Sequence, residues 1–172
     1  MINKRILLFL VFLMCTISIL YAIFAQYHQF ASPCPLCIAQ RIIIASVGLL
    51  ALLFAIHNPQ NILIRIYGMI LTCISIFGIK VAAHHIWLIN LPPDQQPTSC
   101  GIPLDILYKK IPLNSFIGHI LKGDAECGKV NWNILGMNGP TAVIVLLSII
   151  ILICLYIIFA SQNKPERRFF SS

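Results

Sequence analysis

Four long apolar runs govern what this chain can become. Ile6 to Ala25, Ile38 to Ile56, Ile62 to about Lys80 and Thr141 to Ala160 each approach the roughly 20 residues a helix needs to cross the hydrocarbon core of a bilayer. Inside lipid no water is available to the backbone, so a spanning segment satisfies its own N–H and C=O groups by becoming a helix. Composition agrees: 10% of the 172 residues are charged and 59% are hydrophobic, whereas about a quarter of a soluble domain is charged. The expected fold is an all-α membrane protein, a four-transmembrane-helix bundle forming one domain over residues 1–172. The first run exceeds the roughly 7–15 residue core of a signal peptide and lacks an Ala-x-Ala site, so it is read as a retained span. The third can continue as helix to Trp87, before Pro92-Pro93.

An even number of spans leaves both termini on one side. Lys4, Arg5, Arg65, Lys164, Arg167 and Arg168 then share that side, which the positive-inside rule makes cytoplasmic, together with residues 1–5, 57–61 and 161–172. The loops at about 26–37 and 90–140 face outward. In the second of these Lys109, Lys110, Lys122 and Lys129 are balanced by Asp94, Asp105, Asp124 and Glu126. In a bacterium this describes a multi-pass inner-membrane protein with its loops in the periplasm, where disulfides persist. The net charge of +7 is spread thinly and forms no basic block, which argues against nucleic acid as a partner. Within the long loop Leu113, Phe116, Ile117, Ile120 and Leu121 fall on one face of a short helix. Asn114 or Ser115 can cap its start and Gly123 its end. It either lies along the bilayer surface or packs on the end of the bundle, and both tether the loop.

The seven cysteines divide by position. Cys15, Cys73 and Cys154 lie inside apolar runs, where a lone cysteine behaves as a small hydrophobe. Cys34, Cys37, Cys100 and Cys127 lie outside them. Cys34-Pro35-Leu36-Cys37 precedes a helical run, so Cys37 falls in a first helical turn, where unpaired N–H groups and the helix dipole favour a thiolate. Arg41, four residues on, lies on the same face and adds a cation. A zinc site would want two tight pairs, but Cys100 and Cys127 are 27 positions apart, so no metal is expected. Haem attachment fails because Ile38 follows Cys37. Two readings of the outer pair stay open. It could be a static staple of the loop. Alternatively, the two pairs could form a relay, passing two electrons inward by thiol–disulfide exchange. No haem, flavin or iron–sulfur signature offers the electrons an exit. A lipid-soluble quinone is the remaining sink.

These features resemble the DsbB family of disulfide bond formation proteins over nearly the whole chain. The resemblance rests on four spans, Cys34-Pro35-Leu36-Cys37-Ile38-Ala39-Gln40-Arg41, the pair Cys100 and Cys127, and Asp124-Ala125-Glu126-Cys127 followed by Trp132 and Leu135-Gly136. It implies a quinone-dependent protein-disulfide oxidoreductase using ubiquinone or menaquinone, with a DsbA-like periplasmic thioredoxin-fold protein as its partner. It implies that Cys100 is attacked by the partner thiolate and Cys127 leaves. Cys127 then attacks Cys34, Cys37 is freed as a thiolate and donates to the quinone, and Cys34 resolves. Arg41 would stabilise both the thiolate and the developing charge on a quinone oxygen. A histidine is implied near the quinone at the outer end of the third span, and His85 fits better than His84 in its setting before Ile86-Trp87-Leu88. Lys80 reads as a snorkelling lysine, and Trp87 and Trp132 as interfacial aromatics. Gln40 stands where some relatives carry an acid, so a carboxylate role is not transferred. The rival readings are a non-catalytic scaffold with stapled loops, and the same chemistry dedicated to one periplasmic client.

Overall fold

The computed structural model describes residues 4–29, 34–57, 62–92, 133–134 and 137–160. Four helices make up nearly all of it: α1 (Lys4–Gln29), α2 (Pro35–His57), α3 (Ile62–Ile89) and α4 (Gly139–Ala160). All four are long and apolar enough to cross a membrane. Two-residue strands β1 (Asn133–Ile134) and β2 (Met137–Asn138) pair antiparallel, Asn133 opposite Asn138 and Ile134 opposite Met137, just before α4. The expected surface helix, with Cys100 and Cys127, lies outside the described residues.

Each helix is longer than its apolar run. The run in α2 starts at Ile38, yet the helix starts at Pro35, because proline's fixed φ suits a first helical position and its missing N–H costs nothing there. Pro35 therefore opens the helix. Continuation of α3 past Lys80 to Ile89 extends the bundle by more than two turns at the end that carries Cys34.

Why the helices pack as they do can be read from their buried positions. On α3 these include Ile64, Gly68, Leu71, Ser75, Gly78, Ala82 and His85, alternating steps of four and three. On α4 the series is Leu147, Ile150, Cys154 and Ile157, and on α1 it is Leu8, Val11 and Cys15. On α2 it runs Cys37, Gln40, Ile44, Val47, Ala51 and Ala55. This 3.5-residue average is the seam of nearly antiparallel helices packed knobs-into-holes. Gly78 permits the closest approach. A Cβ there would sit 2.6 Å from Leu147 Cδ1 and 2.9 Å from Ile43 Cγ2, so α3 touches α4 and α2 through the same small residue. The outer faces carry Leu20, Phe24, Leu49 and Leu152, all exposed, as lipid-facing surfaces require.

Contacts are most extensive between α3 and α4, then α1 and α2, then α2 and α3, and are sparse between α1 and α4. The start of α2, the ends of α1 and α3 and the start of α4 meet at one end of the bundle. Lys4 and Arg5 begin α1 at the opposite end.

Candidate active site

At the common end the seam changes character. Its last layers are occupied by Cys37 and Gln40 on α2 and His85 on α3, in place of the aliphatic residues below. Cys34 is the N-cap of α2. Its carbonyl accepts the first helical hydrogen bond from Ile38 N at 3.1 Å, and its Sγ accepts one from Cys37 N at 3.3 Å. Ordinarily a Ser, Thr, Asp or Asn oxygen takes the N–H three positions into the helix; here a sulfur does. The helix start expected to favour negative charge on Cys37 thus directs an N–H at Cys34. Cys37 does lie in the first turn, as its spacing predicts.

The two sulfurs are 2.9 Å apart. Cys34 Sγ is also 3.7 Å from His85 Nε2, and His85 Nδ1 is 3.1 Å from Gln40 Nε2. Cys34 and His85 are fully buried, and Gln40 is 4% exposed. A buried imidazole keeps both nitrogens partnered, and this ring has one on the amide and one toward the sulfur. With the Gln40 amide donating to Nδ1, the other ring nitrogen presents its N–H to Cys34. With the amide turned over, Oε1 accepts from Nδ1–H and Nε2 presents a lone pair. Either way Gln40 fixes the ring plane, and a proton can pass between Cys34 and Nε2.

His84, one position off the seam, is half-buried and stacks on Trp87 with centroids 5.6 Å apart. The seam register thus separates the two histidines, bringing His85 to the cysteines.

Arg41 reaches toward α1. Its Nη1 donates to Gln26 Oε1 at 2.6 Å and its Nη2 to the Ala22 carbonyl at 3.2 Å. The guanidinium is thereby held beside a cleft lined by Cys37, Gln40 and Arg41 of α2, by Ser18, Ile19 and Ala22 of α1, and by Pro140 and Val143 of α4. His85 is not part of that lining; it stands behind Cys34. Charge on Arg41 and sulfur on Cys37 therefore share one cleft, as their four-residue spacing predicts.

Gln40 and Gln26 were not singled out as site residues from the sequence. The available signal was their polarity: an uncharged polar group in a spanning segment needs a partner inside the bundle. Gln40 also falls on the seam three residues after Cys37, which aims it inward.

The comparisons with known proteins follow the same lines. The family model for "Disulfide bond formation protein DsbB" matches residues 4–157. A disulfide bond formation protein B of Methylococcus capsulatus is 36% identical over 143 residues, covering 83% of this chain and 87% of that protein. That of Chromobacterium violaceum is 39% identical over 144 residues, 84% of this chain and 86% of the relative. That of Acinetobacter baumannii is 32% identical over 158 residues, 91% and 92%. No solved structure matches the chain. Four helices fit to span a membrane, with a match of this extent, make the chain a multi-pass membrane protein of disulfide bond formation that belongs to the DsbB family.

Proposed function

We propose that the protein oxidises a DsbA-like periplasmic dithiol and passes the electrons to membrane quinone. The observation that carries this reading is the cleft, where Cys37 and the Arg41 guanidinium face the same apolar space. Quinone, when bound, accepts two electrons and two protons. The residues present suit it: Ile19, Ile44, Pro140 and Val143 offer apolar walls for a flat ring, and Arg41 offers a cation for a ring oxygen. The sparse contact between α1 and α4 gives a lateral entrance for a molecule dissolved in lipid.

The chain's own residues divide the work. Cys37 lies at the cleft and donates the electron pair. Cys34 closes on Cys37 to form the disulfide, and His85 takes the Cys34 proton at Nε2 while Gln40 holds the ring. His85 thus serves the quinone side from behind the sulfur pair. Arg41, anchored by Gln26 and the Ala22 carbonyl, compensates negative charge first on Cys37 and then on the acceptor. The outer pair, Cys100 and Cys127, receives electrons from the partner and delivers them to Cys34. Each turnover converts one partner dithiol into a disulfide, with two electrons and two protons leaving on the carrier. Lys4 and Arg5 at the far end of α1 support the reading in which that end is cytoplasmic and the cysteines are periplasmic.

Thiol trapping tests the reading. Purified protein given a reduced thioredoxin-fold dithiol should turn over catalytically only when quinone is supplied. Disulfides that stay inert with partner and quinone both present would return the protein to a stapled scaffold.

A further inference from the structure

The donor atoms of Cys34, Cys37 and His85 lie within 4.8 Å of one another, and all three residues are buried. We propose that the reduced pair and His85 form a binding site for a zinc-like d10 cation, which holds the dithiol in its reduced state. The residues differ from the four loop cysteines weighed for zinc above, since one donor comes from α3, 51 positions from Cys34.

Geometry supports the assignment. Zinc–sulfur distances of about 2.3 Å and zinc–nitrogen distances of about 2.1 Å set donor separations of about 3.5–3.8 Å around a tetrahedral ion. Cys34 Sγ and His85 Nε2 already stand 3.7 Å apart. The sulfurs, at 2.9 Å, must separate by roughly 0.8 Å to meet that spacing. Cys37 lines the cleft and Cys34 does not, so Cys37 is the sulfur with room to turn about its Cα–Cβ bond, parting from Cys34 while closing on the imidazole, from which it stands within 4.8 Å. The cleft beside Cys37 then offers the fourth coordination position, where water or a soluble thiol completes the shell.

Second-sphere partners are in place. A metal-bound histidine nearly always gives its other ring N–H to an oxygen, which fixes the tautomer and raises ligand basicity. Gln40, 3.1 Å from Nδ1, supplies that oxygen once its amide turns Oε1 toward the ring. Cys37 N, donating to Cys34 Sγ, does the same for a metal-bound sulfur. Two thiolates neutralise a divalent ion, so the buried site carries no net charge.

Binding involves no redox change: two thiols lose their protons, and two sulfur–metal bonds and one nitrogen–metal bond form. Oxidation removes the site, because a disulfide leaves only His85 as a strong donor. The ion and the electron acceptor therefore compete for the same two sulfurs.

The test uses the full-length protein in detergent with Cys100→Ser and Cys127→Ser, so that only the inner pair is reduced, and cobalt(II) as the spectroscopic probe. The reduced protein should bind one equivalent, with a sulfur-to-cobalt charge-transfer band and the visible bands of a tetrahedral site, both lost on adding zinc. Protein oxidised to the Cys34–Cys37 disulfide should show neither band. Gln40→Leu, which leaves all three donors, should weaken binding about ten- to a hundredfold. X-ray absorption of the zinc-loaded protein should find sulfur and imidazole in one shell. Failure to see a thiolate–cobalt band, a band that survives oxidation, or a shell without imidazole would each overturn the proposal. The readouts need no quinone or partner, so they stand or fall apart from the oxidase reading.

Discussion

Two clusters of buried cysteines occupy one bundle, and only one of them is dressed for chemistry. Cys15 and Cys154 sit in the central core, fully buried among Leu8, Val11, Val47, Leu71, Leu147 and Ile150. Cys34 and Cys37 sit in a second cluster at the end of the bundle, also buried, with Leu36, Val81 and Leu88. Burial alone does not separate them. Cys34 and Cys37 have a helix start, an imidazole, and a carboxamide behind the imidazole within hydrogen-bond reach. The central pair is packed mainly by aliphatic side chains, where a thiolate would be a poorly compensated charge. A cysteine becomes a redox centre through what can stabilise its anion.

The strongest way to break this comparison is to exchange sulfur for oxygen. Cys34→Ser, Cys37→Ser, Cys100→Ser and Cys127→Ser should each reduce partner-dependent quinone reduction to background, because the relay loses a link. The triple variant Cys15→Ala, Cys73→Ala, Cys154→Ala should keep turnover within about threefold of the parent, the allowance expected for altered packing alone. Activity lost in the folded triple variant would mean the central pair takes part. Gel analysis without reductant adds the order of the relay. Cys127→Ser should trap the partner on Cys100, which the sequence flanks with Pro97-Thr98-Ser99 and Gly101-Ile102-Pro103. Trapping through Cys127 in Cys100→Ser would reverse the order.

Next in size is the cation. Arg41→Gln should slow quinone-linked reoxidation about a hundredfold, the scale for removing one charge-stabilising donor, while transfer from the partner to the outer pair survives. Gln26→Leu removes the anchor and keeps the charge, so a loss nearer tenfold is expected, mostly as weaker apparent quinone affinity. Unchanged kinetics in Arg41→Gln would leave the arginine as a snorkelling residue bonded to α1.

How much of this was legible beforehand differs between the same two regions. The four helices were, because about 20 consecutive apolar residues have few other fates. Choosing His85 over His84 rested on resemblance, although the seam gives an independent reason: Ser75, Gly78, Ala82 and His85 keep one register on α3. The start of α2 at Pro35 was missed because hydropathy is silent on proline at a first helical position. The pairing of Gln40 with His85, 45 positions away, and of Arg41 with Gln26 depends on how helices rotate against each other. A span that is apolar all round encodes that rotation only in the placement of its small and polar residues.

Stability offers a smaller effect that belongs to the helix contacts alone. Gly78→Ala should lower unfolding stability in detergent by about 1–3 kcal/mol. The new methyl would meet Leu147 Cδ1 at 2.6 Å and Ile43 Cγ2 at 2.9 Å, from two helices at once, so two side chains must give way together. Alanine's helix preference, worth about 1 kcal/mol over glycine, recovers only part of this. A stability gain in chemical or thermal unfolding would show that α3 can shift and that the close approach is not required.

The smallest expected effect asks what Cys15 is for. A Cβ added at Gly48 would lie 2.8 Å from Cys15 Cβ but 3.7 Å from Cys15 Sγ, so α1 and α2 approach through backbone and Cβ, with the sulfur at ordinary contact distance. Gly48→Ala should therefore cost about 1–2 kcal/mol after the helix-propensity gain is set against the overpacking. Cys15→Ala removes the sulfur and keeps the Cβ that clashes, so it should not relieve Gly48→Ala. Cys15→Gly removes that Cβ and should relieve it, although alone it costs a few tenths of a kcal/mol in helix propensity, roughly 0.3, together with the lost packing of the sulfur. A double-mutant cycle separates the two: near-zero coupling between Gly48→Ala and Cys15→Ala, and favourable coupling of about 1 kcal/mol or more between Gly48→Ala and Cys15→Gly. That pattern makes the central cysteine a small residue at a helix crossing, whose sulfur fills space and does no chemistry. Equal rescue by both substitutions would put the contact on the sulfur, and the side chain's identity would then matter in the core as it does at the outer end.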